Sequence, residues 1–375
     1  MSKLKANLIL GIETSCDETA LALLDSQNKI LANEVLSSLK LHAKTGGIVP
    51  EIAAREHVRA LDLLLRKIWQ KTQIPLAKVE AIAVSKGPGL ASALLAGVTV
   101  ANTLQAFTQK KLIPVNHIFG HVCSILLKRD AAKIQFPLLT LTVSGGHSDL
   151  IFWESWQEQP RIIGETLDDA AGEAFDKTAR ILALGYPGGP ALEKFVAENQ
   201  AREKIPSLPR AFLLPRSQVK NFAPEEVGVR IREHRLQLTN FNFSFAGLKS
   251  EVRRRSEQAE QPLTPGFRAS LAAEFQRALC EVLATKLVLA AQKFQVREIH
   301  LVGGVSANHF LRQLIKKYAR QLKVKFRVPR ALSFCTDNAA MIAAAGNIVL
   351  QREPQRKWNQ LLEIEPSRRS RKLFY

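Results

Sequence analysis

Apolar runs divide the chain into short strands and longer helices, and the division happens twice. Residues 7–12 (NLILGI) and 20–25 (ALALLD) read as strands separated by the polar segment ETSCDET, and ILANEVLSS (30–38) follows as a third. From Ile48 to Gln73 apolar residues recur at helical spacing. AIAVSK (81–86) is a strand, GPGL opens a small-residue helix, KLIPVNH (111–117) is another strand, and a helix follows from about Gly120. The pattern then restarts. PLLTLTVS, a GGHS turn and DLIFWE give two strands, RIIGETL (161–167) a third, and a helix runs from about Asp169 to Leu184. Helix 266–294, strand EIHLVGG (298–304), helix 307–322, strand KFRVP and an alanine-rich helix starting near Asp337 complete the second series. Two units that each open with three strands and continue with α/β elements predict a duplicated α/β architecture, with a ligand in the cleft between the halves.

Length agrees, because 375 residues exceed one ordinary core. No apolar run approaches the ~18–20 residues of a membrane span. The opening MSKLKANLILGIE reads as a first strand rather than a signal peptide, since Glu13 and Asp17 break it and no small-residue cleavage site follows. Cys16, Cys123, Cys280 and Cys335 are scattered without a CxxC pair, which argues against a disulfide framework and for a reducing compartment. Charge changes the picture more. The formal net charge is +19, with basic clusters at 253–255, between Leu301 and Arg330, and at 368–372. Such an excess points to a polyanionic partner, with solvated helix faces as the alternative. The stretch 201–240 is irregular, basic and proline-containing, and reads as a surface insertion.

Several short motifs carry possible chemistry. His117 and His121 stand four apart, which on a helix puts both rings on one face, as two metal-binding imidazoles require. Ordinary core or surface histidines are the alternative. Ile118 occupies the place of a metallopeptidase's general-base glutamate. TVSGGHSDL (142–150) is a strand–turn–strand whose Gly145–Gly146 step either makes a simple hairpin or turns backbone N–H groups toward an anion. GGVSAN (303–308) joins a strand to a helix and allows close ligand approach. Glu165, Asp168, Asp169, Glu173 and Asp176 crowd around a helix start ahead of a Tyr-Pro-Gly-Gly turn. Asp337 lies at another helix start, as a cap or as a carboxylate ligand.

In order along the chain, GIETSCDETA (11–20), GGIVPEIAAREHV (46–58), SKGPGLASALLAG (85–97), VNHIFGH (115–121), VSGGHS (143–148), DDAAGEAFDKTARILALGYPGGP (168–190), FSFAGLKS (243–250), GGVSAN (303–308) and CTDNAAMIA (335–343) closely resemble the signatures of the bacterial-type tRNA adenosine threonylcarbamoyltransferases, earlier described as sialoglycoproteases. The resemblance implies an α/β, two-lobed actin/Hsp70/sugar-kinase-like fold with a duplicated RNase H-like core and a central nucleotide cleft. It implies an N-terminal lobe over 1–125, completed by a C-terminal helix at 350–375, and a C-terminal lobe over 126–349 carrying the 201–240 insertion. It implies transfer of the threonylcarbamoyl group from threonylcarbamoyl-AMP to the exocyclic amine of adenosine 37 in tRNAs that read codons beginning with A, with release of AMP. The implied metal ligands are His117, His121 and Asp337, holding one divalent cation, iron(II) ahead of zinc. The implied adenylate-binding residues are Thr142, Val143, Ser144, Gly145, Gly146, Asp176, Gly189, Glu193 and Asn308, and the implied catalytic acids are Asp17 and Glu18. A cytoplasmic location, a smaller paralogue of the same fold, a separate P-loop ATPase and no membrane partner also follow from it. Two departures stand out: Glu193 where many members have Asp, and His309 where Arg is usual. The alternatives are an ATP-hydrolysing enzyme of the same superfamily and, behind it, a metallopeptidase.

Overall fold

The computed structural model describes residues 7–43, 47–201, 214, 240–367 and 373, and forms two compact units, 1–134 with 329–375 and 135–328. The first unit is built on β1 (Leu8–Glu13), β2 (Glu18–Leu24), β3 (Ile30–Ser37), β4 (Val79–Gly87) and β5 (Lys111–Asn116). Its strand order is β3-β2-β1-β4-β5, antiparallel from β3 to β1 and parallel from β1 to β5. The second unit repeats this plan with β6 (Leu138–Val143), β7 (Ser148–Trp153), β8 (Arg161–Gly164), β9 (Glu298–Val302) and β10 (Lys325–Arg327). Read from β8, its order is β8-β7-β6-β9-β10, with the same directions at each step. The duplicated core expected from the sequence is therefore present strand for strand.

Burial explains which strands are central. β1 and β6 are buried at every position, as strands covered on both faces must be, whereas β3 has a single buried position and lies at an edge. Helices α1 (Leu39–Ala43), α2 (Pro50–Thr72), α3 (Ala91–Thr108), α4 (His117–Cys123) and α10 (Ala339–Arg352) belong to the first unit. Helices α5 (Ala171–Ile181), α6 (Gly188–Ala201), α7 (Ala246–Gln258), α8 (Pro265–Lys293) and α9 (His309–Gln321) belong to the second. Leu64 and Ile68 of α2 share one buried core with Leu10, Ile12 and Leu21, and each such fully buried side chain contributes about 1.5–3 kcal/mol.

Three expectations about the chain's layout are corrected. The second unit ends at 328 rather than 349, because α10 packs on β1, β2, β4 and β5. Small residues bring it there: a Cβ on Gly11 of β1 would lie 2.3 Å from the Ala339 carbonyl oxygen. Residues 353–367 carry no helix, since α10 stops at Arg352 just before Pro354. They run instead as an extended strap, whose Trp358 carbonyl accepts from the Leu112 N–H (2.8 Å) while the Glu365 N–H donates to the Lys86 carbonyl (2.7 Å). Finally, α4 begins at His117, not at Gly120, because the Asn116 side chain caps it by accepting from the Ile118 and Phe119 N–H groups. The basic tail 368–372 lies outside the described residues, as does the 201–240 insertion apart from its ends and Leu214, which is buried in the second core.

Candidate metal centre and anion cradle

In the first unit, α4 and α10 together assemble a three-donor cluster. His117 occupies the first position of α4 and His121 lies one turn later, so both rings project from one face, with centroids 4.7 Å apart. Gly120 between them lets α4 lie tightly on α10, since a Cβ there would stand 2.7 Å from Ile342 Cδ1. Asp337 precedes α10. Asn338, not Asp337, caps that helix by accepting from the Met341 N–H, which leaves the Asp337 carboxylate for the imidazoles. Asp337 Oδ1 lies 3.2 Å from His121 Nε2 and 3.7 Å from His117 Nε2. One donor atom from each of the three residues falls within 4.8 Å of the others. All three donors come from one unit, although the expected lobe boundaries had assigned Asp337 to the C-terminal lobe.

A residue not singled out in the sequence orients this cluster. Glu13, fully buried at the end of β1, accepts from His117 Nδ1 at 3.1 Å and from the Ser15 N–H at 2.6 Å. Ser15 Oγ lies 3.0 Å from the same Nδ1. A carboxylate on Nδ1 fixes the ring so that the other nitrogen, Nε2, faces Asp337, the arrangement found behind metal-bound histidines. Its sequence signal was a glutamate inside an otherwise apolar strand, a position at which a charge needs a dedicated partner.

The chemistry of the cluster fits a cation. Both His121 nitrogens are buried without a hydrogen-bond partner among the described residues. Burial lowers the pKa of His117, but the Glu13 and Asp337 carboxylates outweigh it and push it up to about 9. Burial, Asp337 and Asp17 raise Glu18 to about 10, and Asp17 hydrogen-bonds to it. Cys16 is pushed well up by burial and the same acids. A buried, acid-rich pocket holding two imidazoles is the environment a divalent ion stabilises. Two imidazoles and one carboxylate form a mixed N/O donor set suited to iron(II) or zinc.

The second unit gathers most of the expected adenylate-binding residues around helix starts. Thr142 and Val143 end β6, and Ser144–His147 form the turn into β7, closed by Ser144 N–H donating to the His147 carbonyl at 2.9 Å. The start of α5 meets this turn, with the Gly172 N–H donating to the Ser144 carbonyl at 3.1 Å. Gly303 meets it from β9: its φ is +87° and an added Cβ would lie 2.3 Å from the Val143 carbonyl oxygen, so only glycine fits. Asp176 Oδ1 accepts from the Gly188 N–H (2.6 Å) at the start of α6, and burial raises its pKa. Glu193 Oε1 accepts from the His309 N–H (2.6 Å) at the start of α9. Asn308 caps α9 through Leu311 N–H (2.9 Å), and its amide N–H donates to Gln276 Oε1 (3.1 Å). Thus the start of α5 is tied to the β6–β7 turn, the start of α6 to the body of α5, and the start of α9 to the body of α6. Helix N-termini favour anions, and Gly145 and Gly304 have nothing within 4 Å of the place a Cβ would occupy. Asp176, Glu193 and Asn308 thus place their side-chain oxygens on the starts of α6 and α9, and the open backbone at Gly145 and Gly304 is the candidate anion cradle. The neighbouring acids are structural. Asp168 caps α7 by accepting from the Phe245 and Ala246 N–H groups, and Asp169 pairs with Lys177 and Lys249.

Among the described residues no helix is long and apolar enough to cross a membrane. A family model described as tRNA N6-adenosine threonylcarbamoyltransferase matches residues 29–344. Proteins of that name from Bacillus cereus and Geobacillus kaustophilus are 41% and 42% identical over 348 and 343 residues, each alignment covering 92% of both chains. The chain is also similar to component A of (R)-2-hydroxyglutaryl-CoA dehydratase from Acidaminococcus fermentans, at 14% identity and a TM-score of 0.49 over 90% of this chain and 96% of that one. On its match to the family model and its identity to these relatives, the chain belongs to the tRNA N6-adenosine threonylcarbamoyltransferase family.

Proposed function

We propose that this chain transfers the threonylcarbamoyl group of threonylcarbamoyl-AMP to the exocyclic amine of adenosine 37 in the anticodon loop of tRNA. The new bond joins the amine nitrogen to the carbamoyl carbon, the bond from that carbon to the phosphate oxygen breaks, AMP leaves, and the amine gives up a proton. The nucleophile is weak because its lone pair is delocalised into the ring, so the protein's task is to position both reactants and stabilise charge on the acyl and phosphate oxygens. The observation that carries this reading is the convergence of His117, His121 and Asp337 with Glu13 behind them.

Those three residues would hold one divalent cation, and iron(II) is our assignment ahead of zinc. When bound, such an ion supplies Lewis acidity and a template for substrate oxygens. Within the second unit, the Ser144–Gly146 backbone beside the start of α5 would receive the phosphate. Thr142 and Val143 would line the acyl side, with Asp176, Gly189, Glu193 and Asn308 shaping the nucleoside side. Asp17 would take the amine's proton, and Glu18, whose carboxyl is pushed up to about 10, would orient the amine. An anticodon-loop base is already unpaired, so presenting it costs little. A smaller paralogue and a P-loop ATPase accompany this reading as partners, with the cytoplasm as location.

The test is nucleoside mass analysis of unmodified tRNA incubated with this chain, its partners and threonylcarbamoyl-AMP. Modified adenosine should appear with the wild type and be nearly absent with His117→Ala. Equal product from both would refute the assignment of the site. Phosphate release from ATP by this chain alone, without tRNA modification, would favour the ATP-hydrolysing alternative.

A further inference from the structure

The proposed function needs an RNA-holding surface, and one face of the second unit has the charge for it. From Ile299 to Thr336 the sequence contains no Asp or Glu. Within that stretch α9 buries Leu311, Ile315, Tyr318 and Ala319 and turns Lys316, Lys317 and Arg320 outward. Their spacings of three and four residues align them in one stripe. Lys323 in the following turn and Lys325 on β10 are also exposed. β10 pairs only with β9, so it is the sheet's edge.

Several other cations of this unit are matched by an acid. Lys177 and Lys249 pair with Asp169, Arg254 and Arg255 with Glu251, Arg277 with Glu274, and Arg327 with Glu298. Among the described residues, none of Lys316, Lys317, Arg320, Lys323 and Lys325 forms an ion pair. Lysine at an edge strand discourages strand-to-strand aggregation, which accounts for Lys325. It does not account for three unpaired cations on one helical stripe. Like charges at such spacings destabilise a free helix by a few tenths of a kcal/mol per pair, so the stripe carries a small cost that a polyanion would relieve.

We infer that the α9 stripe, continued by Lys323 and Lys325, is a docking ridge for the phosphate backbone of the tRNA. The inference rests on the proposed function for its choice of polyanion. The ridge acts through charge and backbone contact, so it holds the tRNA body without reading sequence.

The test uses the full chain with its partners and fluorescently labelled unmodified tRNA, with affinity measured at several salt concentrations. The triple variant Lys316→Gln, Lys317→Gln, Arg320→Gln should lower the slope of log affinity against log salt by about 2–3, as expected for three lost phosphate contacts. Its KM for tRNA should rise at least about tenfold near physiological salt, with kcat at saturating tRNA unchanged. The charge-keeping variant Lys316→Arg, Lys317→Arg, Arg320→Lys should retain the wild-type slope. So should Lys110→Gln with Lys133→Gln, which removes two charges from the first unit. An unchanged slope in the triple variant overturns the ridge, as does wild-type tRNA binding that ignores salt. So does a triple variant that loses only binding to anionic lipid vesicles. If wild type binds tRNA through the ridge but yields no modified nucleoside, the functional reading fails while the ridge stands.

Discussion

The β1–β2 turn of the first unit and the β6–β7 turn of the second occupy the same place in two copies of one fold, yet they present opposite chemistry. Each follows the first strand of its sheet, and each is pressed by a glycine from the loop after the fourth strand. A Cβ on Gly89 would lie 2.6 Å from the Ser15 carbonyl oxygen, and one on Gly303 would lie 2.3 Å from that of Val143. The first turn, Glu13–Glu18, fills its space with carboxylates and supports an imidazole. The second, Ser144–His147, is open at Gly145 and bordered by helix starts. The shared scaffold fixes where a ligand can approach, and the turn residues decide whether it is a cation or an anion. That division predicts that substitutions in the first unit alter metal content, whereas substitutions in the second alter affinity for the adenylate.

The largest effect should come from His121→Ala. The ring packs in the core and Nε2 faces Asp337 Oδ1 at 3.2 Å, so the fold loses mainly packing, about 1–3 kcal/mol for a partly refilled cavity. Transferase activity should drop more than about 100-fold, since a catalytic metal supplies several kcal/mol. Metal analysis of the purified variant should show less than a tenth of the wild-type content. Full metal content in that variant would place the cation elsewhere.

Next in size is Glu13→Gln. The amide keeps the shape but removes the charge that holds His117, and losses behind a metal-bound histidine cost about 10–100-fold in metal affinity. Chelator titration reads this without any activity measurement. An affinity equal to the wild type would reduce Glu13 to a buried structural acid. In the opposite turn, Gly145→Ala puts a methyl group into open space, so thermal stability should hold. A methyl group in a close-fitting site costs on the order of 1–3 kcal/mol, so affinity for threonylcarbamoyl-AMP should fall about tenfold or more with metal content unchanged. Loss of metal in this variant would break the division between the two turns.

Much of this architecture was legible in the sequence, and the exceptions have physical causes. The strand runs and the repeated three-strand opening were readable because central strands are continuously apolar. The donors His117, His121 and Asp337 follow from helical spacing together with family resemblance. Glu13 was missed because periodicity treats a charge within an apolar run as an interruption, while the fold makes it a buried hydrogen-bond acceptor. The start of α4 was misplaced because strand KLIPVN passes into helix through a single capping asparagine, with no polar break. The C-terminal strap was misread as helix although Pro354 signals the stop. Its backbone pairing with Leu112 and Lys86 is long-range, and no local pattern encodes it. For Asp176, Glu193 and Asn308 the resemblance implied contacts to the adenylate, whereas in the structure their side chains bond to helix starts, which no local pattern encodes.

The smallest predicted effect tests that last distinction. Asn308 Oδ1 caps α9 and its amide N–H meets Gln276, so the residue orders the helix start that borders the cradle. Removing the cap with Asn308→Ala should cost about 1 kcal/mol of stability, read as a drop of a few degrees in Tm. Asn308→Asp restores a capping oxygen but lacks the amide N–H. If Asn308 acts only through the cap, the Asp variant should recover both Tm and affinity for the adenylate. If its amide also contacts the base, the Asp variant should recover Tm while its KM for threonylcarbamoyl-AMP stays raised. In the second case the cradle recognises its ligand by side chain as well as by backbone, and the second unit's turn would no longer be a purely backbone counterpart of the carboxylate-filled turn in the first.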